Sequence, residues 1–137
     1  MNGNHIFVDT NVLIGWWVGN KEDVNCIKYL FSLRGKRLYT SALSIAQFVS
    51  VLQKTESNAD IRKAVNSLLA KFNIISFAEK DIVESLEVAN LDMEDNIQYI
   101  ISSKARCFYF VTNNKKDYDK LSNINVVIPA KIRQINQ

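Results

Sequence analysis

The segment His5-Ile-Phe-Val-Asp9-Thr-Asn-Val-Leu-Ile14 gives the strongest indication of fold in this sequence. Three apolar residues, Ile6 to Val8, run directly into Asp9, and a second apolar run follows at once. A parallel strand that is buried on both faces is a continuous apolar run rather than an alternating one. The segment therefore predicts a short buried strand that ends at a carboxylate and continues into a helix. In open α/β sheets, ligands bind just outside the carboxyl ends of the strands, which is where we expect Asp9.

The composition is that of a single globular domain, which we expect to span residues 1–137. Apolar residues make up 47% and charged residues 23%, values that exclude a disordered or fibrous chain. A net charge of +3 is compatible with a polyanionic partner and does not require one. The apolar stretches are too short for a membrane span, and the first residues lack the basic region of a signal peptide. We therefore expect a cytoplasmic protein without membrane contact.

The two cysteines, Cys26 and Cys107, lie far apart in apolar settings. We expect two buried thiols in a reducing compartment, and a disulfide between them stays open as the alternative.

Hydrophobic periodicity predicts strands that alternate with helices along the whole chain. Such alternation is typical of an α/β fold with a mostly parallel central sheet of four to five short strands and helices on both faces. The predicted strands are residues 6–8, 37–40, 73–77, 107–111 and 126–128. The predicted helices are residues 10–17, 21–33 and 42–54, one that begins at 57–58, residues 79–89, and one that begins at 92.

Several kinds of catalytic site are excluded by what the chain lacks. His5 is the single histidine, and it lies where the first strand begins rather than where it ends, which argues against a serine–histidine or cysteine–histidine nucleophile. His5, Cys26 and Cys107 do not have the spacing of zinc ligands. The four glycines form neither a phosphate-binding loop nor a dinucleotide-binding motif. The remaining candidates are carboxylates.

Carboxylates occupy three predicted element ends: Asp9, the pair Asp92 and Asp95, and Asp117 after the fourth strand. Residues three apart on a helix are neighbours, so both members of the pair can face one site. Clustered carboxylate oxygens suit Mg²⁺ or Mn²⁺. The alternatives remain open, since Asp9 and Asp92 are also good helix N-caps and Asp117 is also explained as a solvated loop residue.

Four segments together resemble the PIN domain, a small nuclease fold found in many bacterial toxin–antitoxin systems. The opening strand with Asp9 resembles the first motif, residues 41–54 the second, residues 92–99 the third, and residues 111–118 the fourth. The resemblance covers nearly the whole chain in the correct order. It implies a PIN-like three-layer fold.

The resemblance also implies a metal site, with Mg²⁺ (or Mn²⁺) held mainly by Asp9 and Asp95 and with Glu94 nearby. The sequence departs from the family at Gln47, where a glutamate is usual, so one negative charge is lost. The further implied site residues are Asn114 and Gln47 in catalysis, Asp92 and Asp117 as additional metal ligands, and Thr112, Lys115 and Lys116 toward the substrate.

The function implied by the resemblance is metal-dependent hydrolysis of RNA, as the toxin of a toxin–antitoxin pair with an antitoxin partner and homodimerisation. The alternative is a catalytically impaired PIN domain that binds RNA or protein, which the neutral Gln47 favours. A receiver-type phosphoacceptor domain also has an aspartate at a strand end. It requires an acid pair at the first strand and a lysine after the last strand, and this sequence does not show them clearly. Trp16 and Trp17 have two interpretations, base stacking or packing in the core or a partner surface, and we favour packing.

Overall fold

A computed structural model describes residues 2–89, 92–121 and 123–136. Within these residues, five strands form one sheet in the order β3-β2-β1-β4-β5, and every neighbouring pair is parallel. The strands are β1 (Asn2–Val8), β2 (Arg37–Ser41), β3 (Asn73–Ile75), β4 (Cys107–Val111) and β5 (Asn125–Val127). The expected parallel α/β sheet is confirmed, with β1 at its centre.

Helices connect the strands. They are α1 (Thr10–Val18), α2 (Lys21–Ser32), α3 (Ala42–Leu52), α4 (Asn58–Lys71), α5 (Glu79–Ser85), α6 (Met93–Lys104), α7 (Lys115–Tyr118) and a 3₁₀ helix (Pro129–Gln134). In the part of the chain that the structure describes, no helix is both long and apolar enough to cross a membrane.

The central strand is buried on both faces. Ile6 and Val8 pack into one hydrophobic core, and Phe7 packs into a second core on the other face, because successive side chains of a strand point to opposite sides. The first core is covered mainly by apolar residues of α1 to α4, and the second by residues that include Ile101 of α6 and Tyr118 of α7. Helices therefore cover both faces, and the predicted three-layer arrangement is confirmed.

The two tryptophans and the two cysteines belong to these cores. Trp16 and Trp17 are half-buried against the first core, as the packing interpretation expects. Cys26 is buried in the first core and Cys107 in the second, and both are free thiols. Burial raises the pKa of each thiol to about 12, so neither is a reactive thiolate.

Some predicted bounds differ from the structure. β1 begins at Asn2, four residues earlier than expected, because its polar first half pairs with β4 through backbone hydrogen bonds that hydrophobicity does not reveal. The single-turn helix α7 replaces an expected loop, and α5 ends at Ser85 rather than at Ala89. The 3₁₀ helix that begins at Pro129 was not expected, because the proline was interpreted only as the end of the last strand, although proline is also favoured at the first position of a helix.

Candidate active site

Three helix starts converge at the carboxyl edge of the sheet. Asp9, at the end of β1, accepts the amide hydrogen of Thr10 through Oδ1 (2.8 Å) and caps α1. Asp92 caps α6 through a 3.0 Å bond from the Asp95 amide. Ser41, at the end of β2, caps α3. The capping alternatives for Asp9 and Asp92 are thus realised, and capping orients α6 so that Asp95 lies next to the edge.

A cleft of about 390 Å³ lies at this edge. The cleft is lined by three carboxylates and two amide side chains that the sequence analysis named. They are Asp9, Glu94, Asp95, Gln47 and Asn114. Its other lining residues are Thr10, Asn11, Ile14, Ser50, Val51 and Gln98.

Asp9 is the most buried carboxylate of the cleft, with 5% of its surface exposed. Its Oδ2 accepts the hydroxyl hydrogen of Thr112 (2.8 Å) and an amide hydrogen of Asn11 (3.2 Å). Burial raises the pKa of Asp9 because it disfavours the charged form, and the negative charge of Asp117 adds to that rise. The hydrogen bonds act in the opposite direction and hold the carboxylate in one orientation.

Asp95 faces the same cleft from the first turn of α6 and is half-buried. Its pKa is raised to about 6, mainly by burial and also by the negative charges of Asp92, Asp9 and Asp117. The buried hydroxyl of Tyr118 donates to Asp95 Oδ1 at 2.9 Å and partly opposes that rise. Two carboxylates with raised pKa values in one cleft mark a place where a cation is energetically favoured.

A buried polar network lies beneath the cleft and was not foreseen. Gln98, only 2% exposed, donates to Ser44 (2.7 Å) and Thr10 (3.3 Å) and accepts from Ser41 (2.6 Å). The Thr10 hydroxyl donates to Gln47 Oε1 at 2.6 Å. Gln98 lies three residues after Asp95 on α6, and residues three apart share a helix face. This spacing could have indicated from the sequence that Gln98 faces the cleft.

Gln47 connects that network to Glu94. Its amide nitrogen donates to Glu94 Oε2 across the cleft, while its oxygen faces Thr10. Gln47 therefore joins α3 to the start of α6, and its oxygen is already hydrogen-bonded.

The donor set of the cleft fits one hard divalent cation. Carboxylate and amide oxygens are the ligands that Mg²⁺ and Mn²⁺ prefer, and no lysine, arginine or histidine is among the described residues that line the cleft. Across residues 2–89, 92–121 and 123–136, however, no three acidic, histidine or cysteine side chains come close enough to hold an ion unaided. The cleft thus fits a cation that keeps several water ligands.

The other predicted charged residues do not line this cleft. The Asp92 carboxylate serves as the cap of α6, and Asp117 is exposed on α7, where its charge still acts on Asp9 and Asp95. The exposed residues Lys115 and Lys116 line an adjacent groove together with Asp117. Lys115 also forms a 2.6 Å ion pair with Asp119, the residue that follows α7.

The loop after β4 is tied to the cleft by polar contacts. Thr112 Oγ1 accepts the amide hydrogen of Asn114 at 3.0 Å while donating to Asp9. Asn113 donates its amide hydrogen to Asn11 (3.0 Å) and a side-chain hydrogen to Asp23 (3.1 Å). Asn11 and Asp23 were not predicted as site residues. Asn11 could have been noticed from its position two residues after Asp9, whereas nothing in the sequence indicates the Asp23 contact.

Comparisons with known proteins match the chain to one family. The family model described as "PIN domain" matches residues 6–124. The chain is 28% identical to Ribonuclease VapC1 of Aquifex aeolicus, a match that covers 86% of this chain and 87% of that protein.

Two solved structures show the same fold. One is VapBC-1 from nontypeable Haemophilus influenzae, with a TM-score of 0.74, 15% identity, and coverage of 93% of this chain and 99% of that one. The other is a toxin–antitoxin complex from Klebsiella pneumoniae, with a TM-score of 0.70, 20% identity, and coverage of 90% and 97%.

Proposed function

This chain belongs to the PIN domain family, and from that membership together with the cleft we propose that it is a divalent-metal-dependent ribonuclease. The reaction is hydrolysis of RNA phosphodiester bonds. The observation that carries the proposal is the pairing of Asp9 and Asp95 in one cleft, both with raised pKa values and without a basic partner among the described lining residues. The similarity to a protein named as a ribonuclease supports it.

Asp9 and Asp95 are the residues that would hold Mg²⁺ or Mn²⁺. A bound ion of this kind acidifies water and stabilises negative charge on a phosphate. The hydrogen bonds from Thr112 and Asn11 fix the Asp9 carboxylate, and the bond from Tyr118 fixes Asp95. These contacts preorganise the two acids before a cation or substrate arrives.

The remaining predicted residues take supporting roles. The side chain of Asn114 lines the cleft, where it orients the attacking water, and Thr112 holds its backbone. Lys115 and Lys116 contact RNA phosphates from the adjacent groove. Asp92 and Asp117 lie outside the cleft and contribute negative charge rather than direct ligands.

The biological role that we propose is that of a toxin with an antitoxin partner. Its support is the fold shared with a toxin–antitoxin complex from Klebsiella pneumoniae. A cytoplasmic location fits the two free, buried thiols. Homodimerisation stays a prediction from the family resemblance.

A binding module without cleavage is the competing function. The feature that favours it is Gln47, which is neutral and whose oxygen is hydrogen-bonded to Thr10. Such a module would bind RNA or a partner protein while leaving RNA intact.

The test is a cleavage assay on single-stranded and structured RNA with Mg²⁺, Mn²⁺ or EDTA. We expect cleavage with either metal, loss in EDTA, and loss in Asp95→Asn. Asp60→Asn, which removes one exposed carboxylate on α4 outside the cleft, is the matched control and retains activity. If the wild-type protein binds RNA without cutting it, the ribonuclease proposal is wrong and the binding module is the function.

A further inference from the structure

Glu94 lies in the cleft beside the two proposed metal ligands. It belongs to the first turn of α6, immediately before Asp95, and its side chain is exposed to solvent. It accepts a hydrogen bond from the Gln47 amide nitrogen on α3. This hydrogen bond from a second helix holds the Glu94 side chain beside the cleft.

The hydrogen bonds beneath the cleft have a consistent direction. Ser41 Oγ accepts the amide hydrogen of Ser44 (2.8 Å). Its own hydrogen is directed to Gln98 Oε1 at 2.6 Å, the nearer acceptor, rather than to Ser44 Oγ at 3.1 Å. The amide nitrogen of Gln98 then donates to Thr10, and Thr10 in turn donates its hydroxyl hydrogen to Gln47. Each group accepts one hydrogen bond and donates the next, so the bonds of the network strengthen one another.

This direction fixes the orientation of the Gln47 amide. Because its oxygen is taken by Thr10, its nitrogen must point to Glu94, and nitrogen can only donate. A glutamate at position 47 could accept from Thr10 but could not donate to Glu94, and the two carboxylates would repel each other. The neutral residue at position 47 is therefore matched to the charged residue at position 94.

We propose that Glu94 supplies the third negative charge of the cation site and that Gln47 is the positioning residue that holds it there. The inference rests on the proposed function and extends it. No three acidic side chains among the described residues reach one ion directly, so Glu94 acts on the water ligands that the cation retains. The charge that the second motif lacks thus comes from α6 instead of α3.

The first test measures Mn²⁺ binding by isothermal titration calorimetry for the full chain. Glu94→Gln can still accept the hydrogen of Gln47 and loses only its charge, and we expect its Mn²⁺ affinity to fall about 10- to 100-fold. Glu87→Gln, the same change at an exposed glutamate outside the cleft, keeps wild-type affinity. Asp95→Asn loses binding.

The second test exchanges the two residues. In EDTA, Gln47→Glu lowers Tm by roughly 3–6 °C, because a hydrogen bond is replaced by repulsion from Glu94. In the double variant Gln47→Glu with Glu94→Gln, the new glutamine donates to the new glutamate, so Tm returns to the wild-type value. Mn²⁺ affinity in the double variant also recovers relative to Glu94→Gln alone.

Failure of this inference differs from failure of the proposed function. If Asp95→Asn loses Mn²⁺ binding while Glu94→Gln binds like the Glu87→Gln control, the role of Glu94 is wrong and the ribonuclease proposal stands. If Gln47→Glu lowers Tm equally in the wild-type protein and in the Glu94→Gln variant, the positioning role of Gln47 is also wrong. A wild-type protein that binds no Mn²⁺ and cuts no RNA overturns both.

Discussion

Replacing Tyr118 with phenylalanine changes the titration of one proposed ligand while leaving the core in place. The Tyr118 ring is fully buried and packs against Phe110 with ring centroids 4.3 Å apart, a contact that phenylalanine keeps. Burial, with the charges of Asp9 and Asp95, raises the pKa of the Tyr118 hydroxyl, so it remains a donor at physiological pH. The substitution therefore removes one hydrogen bond, the 2.9 Å bond to Asp95 Oδ1.

The size of the effect follows from the strength of that bond. Hydrogen bonds to charged groups contribute about 1.5–3 kcal/mol. We take a value just below that range, about 1.4 kcal/mol, because solvent screens the partly exposed Asp95. That value corresponds to about one pKa unit. The bond favours the ionised carboxylate, so its loss raises the pKa of Asp95 from about 6 toward roughly 7. At pH 6 the ionised fraction then falls about fivefold.

Two measurements check this prediction. Under subsaturating Mg²⁺, the acid limb of the pH–rate profile for RNA cleavage moves to higher pH by about one unit, and the rates converge with wild type near pH 8. Carbon-13 NMR of Asp95 without metal reports the same shift. Tyr109→Phe removes a hydroxyl on β4 outside the cleft and leaves the profile unchanged. An acid limb that stays in place, or moves to lower pH, contradicts the role given to Tyr118.

Three further predictions concern the acids and a glycine contact. Asp9→Asn keeps the helix cap, so the free energy of unfolding changes by less than about 1 kcal/mol, while RNA cleavage falls at least about 100-fold; urea unfolding and a cleavage assay measure the two. Gly15→Ala destabilises the protein by about 1–3 kcal/mol in urea, because the new Cβ would lie 1.7 Å from Asp23 Oδ2, whereas Gly3→Ala, with no atom within 4 Å, is neutral. A stable Gly15→Ala variant would contradict that packing. The pKa of Asp95 in the folded state is higher than its unfolded value of 3.8, so at pH values between the two the folded state binds more protons than the unfolded state. Metal-free stability therefore falls by about 1–2 kcal/mol from pH 4.5 to 7. Thermal unfolding in EDTA should show that fall and saturating Mn²⁺ should remove it; stability that rises over this range is the contrary result.

The parts of the fold that depend on local chemistry were predictable. The buried run Ile6 to Val8 and the strand at Cys107–Val111 were found because both are continuous apolar segments. Ser41 was found as a cap because serine before an apolar helix is a local pattern. Parallel strands place Asp9 at the edge of the sheet, so the position of the cleft followed from the same local patterns.

The contacts that complete the cleft were not predictable, because they join residues that are distant in sequence. Tyr118 and Asp95 are 23 positions apart, and Gln98 lies 88 positions from Thr10. No periodicity relates such residues, and only the packing of α6 and α7 against the sheet brings them together. Gln47 is the clearest case, since the sequence showed only a missing charge and the structure shows a hydrogen bond to Glu94.

The dependence of single-turnover RNA cleavage on Mg²⁺ concentration bears on the pairing of Asp9 and Asp95. With wild-type protein, we expect no cleavage in EDTA and a rate that rises to saturation as Mg²⁺ is added. With Asp95→Asn, the rate should stay near background or require far higher Mg²⁺, because one of the two carboxylates that hold the cation is gone. Cleavage that is undiminished in EDTA, or an Asp95→Asn curve that overlays the wild-type curve, would contradict the metal-dependent mechanism.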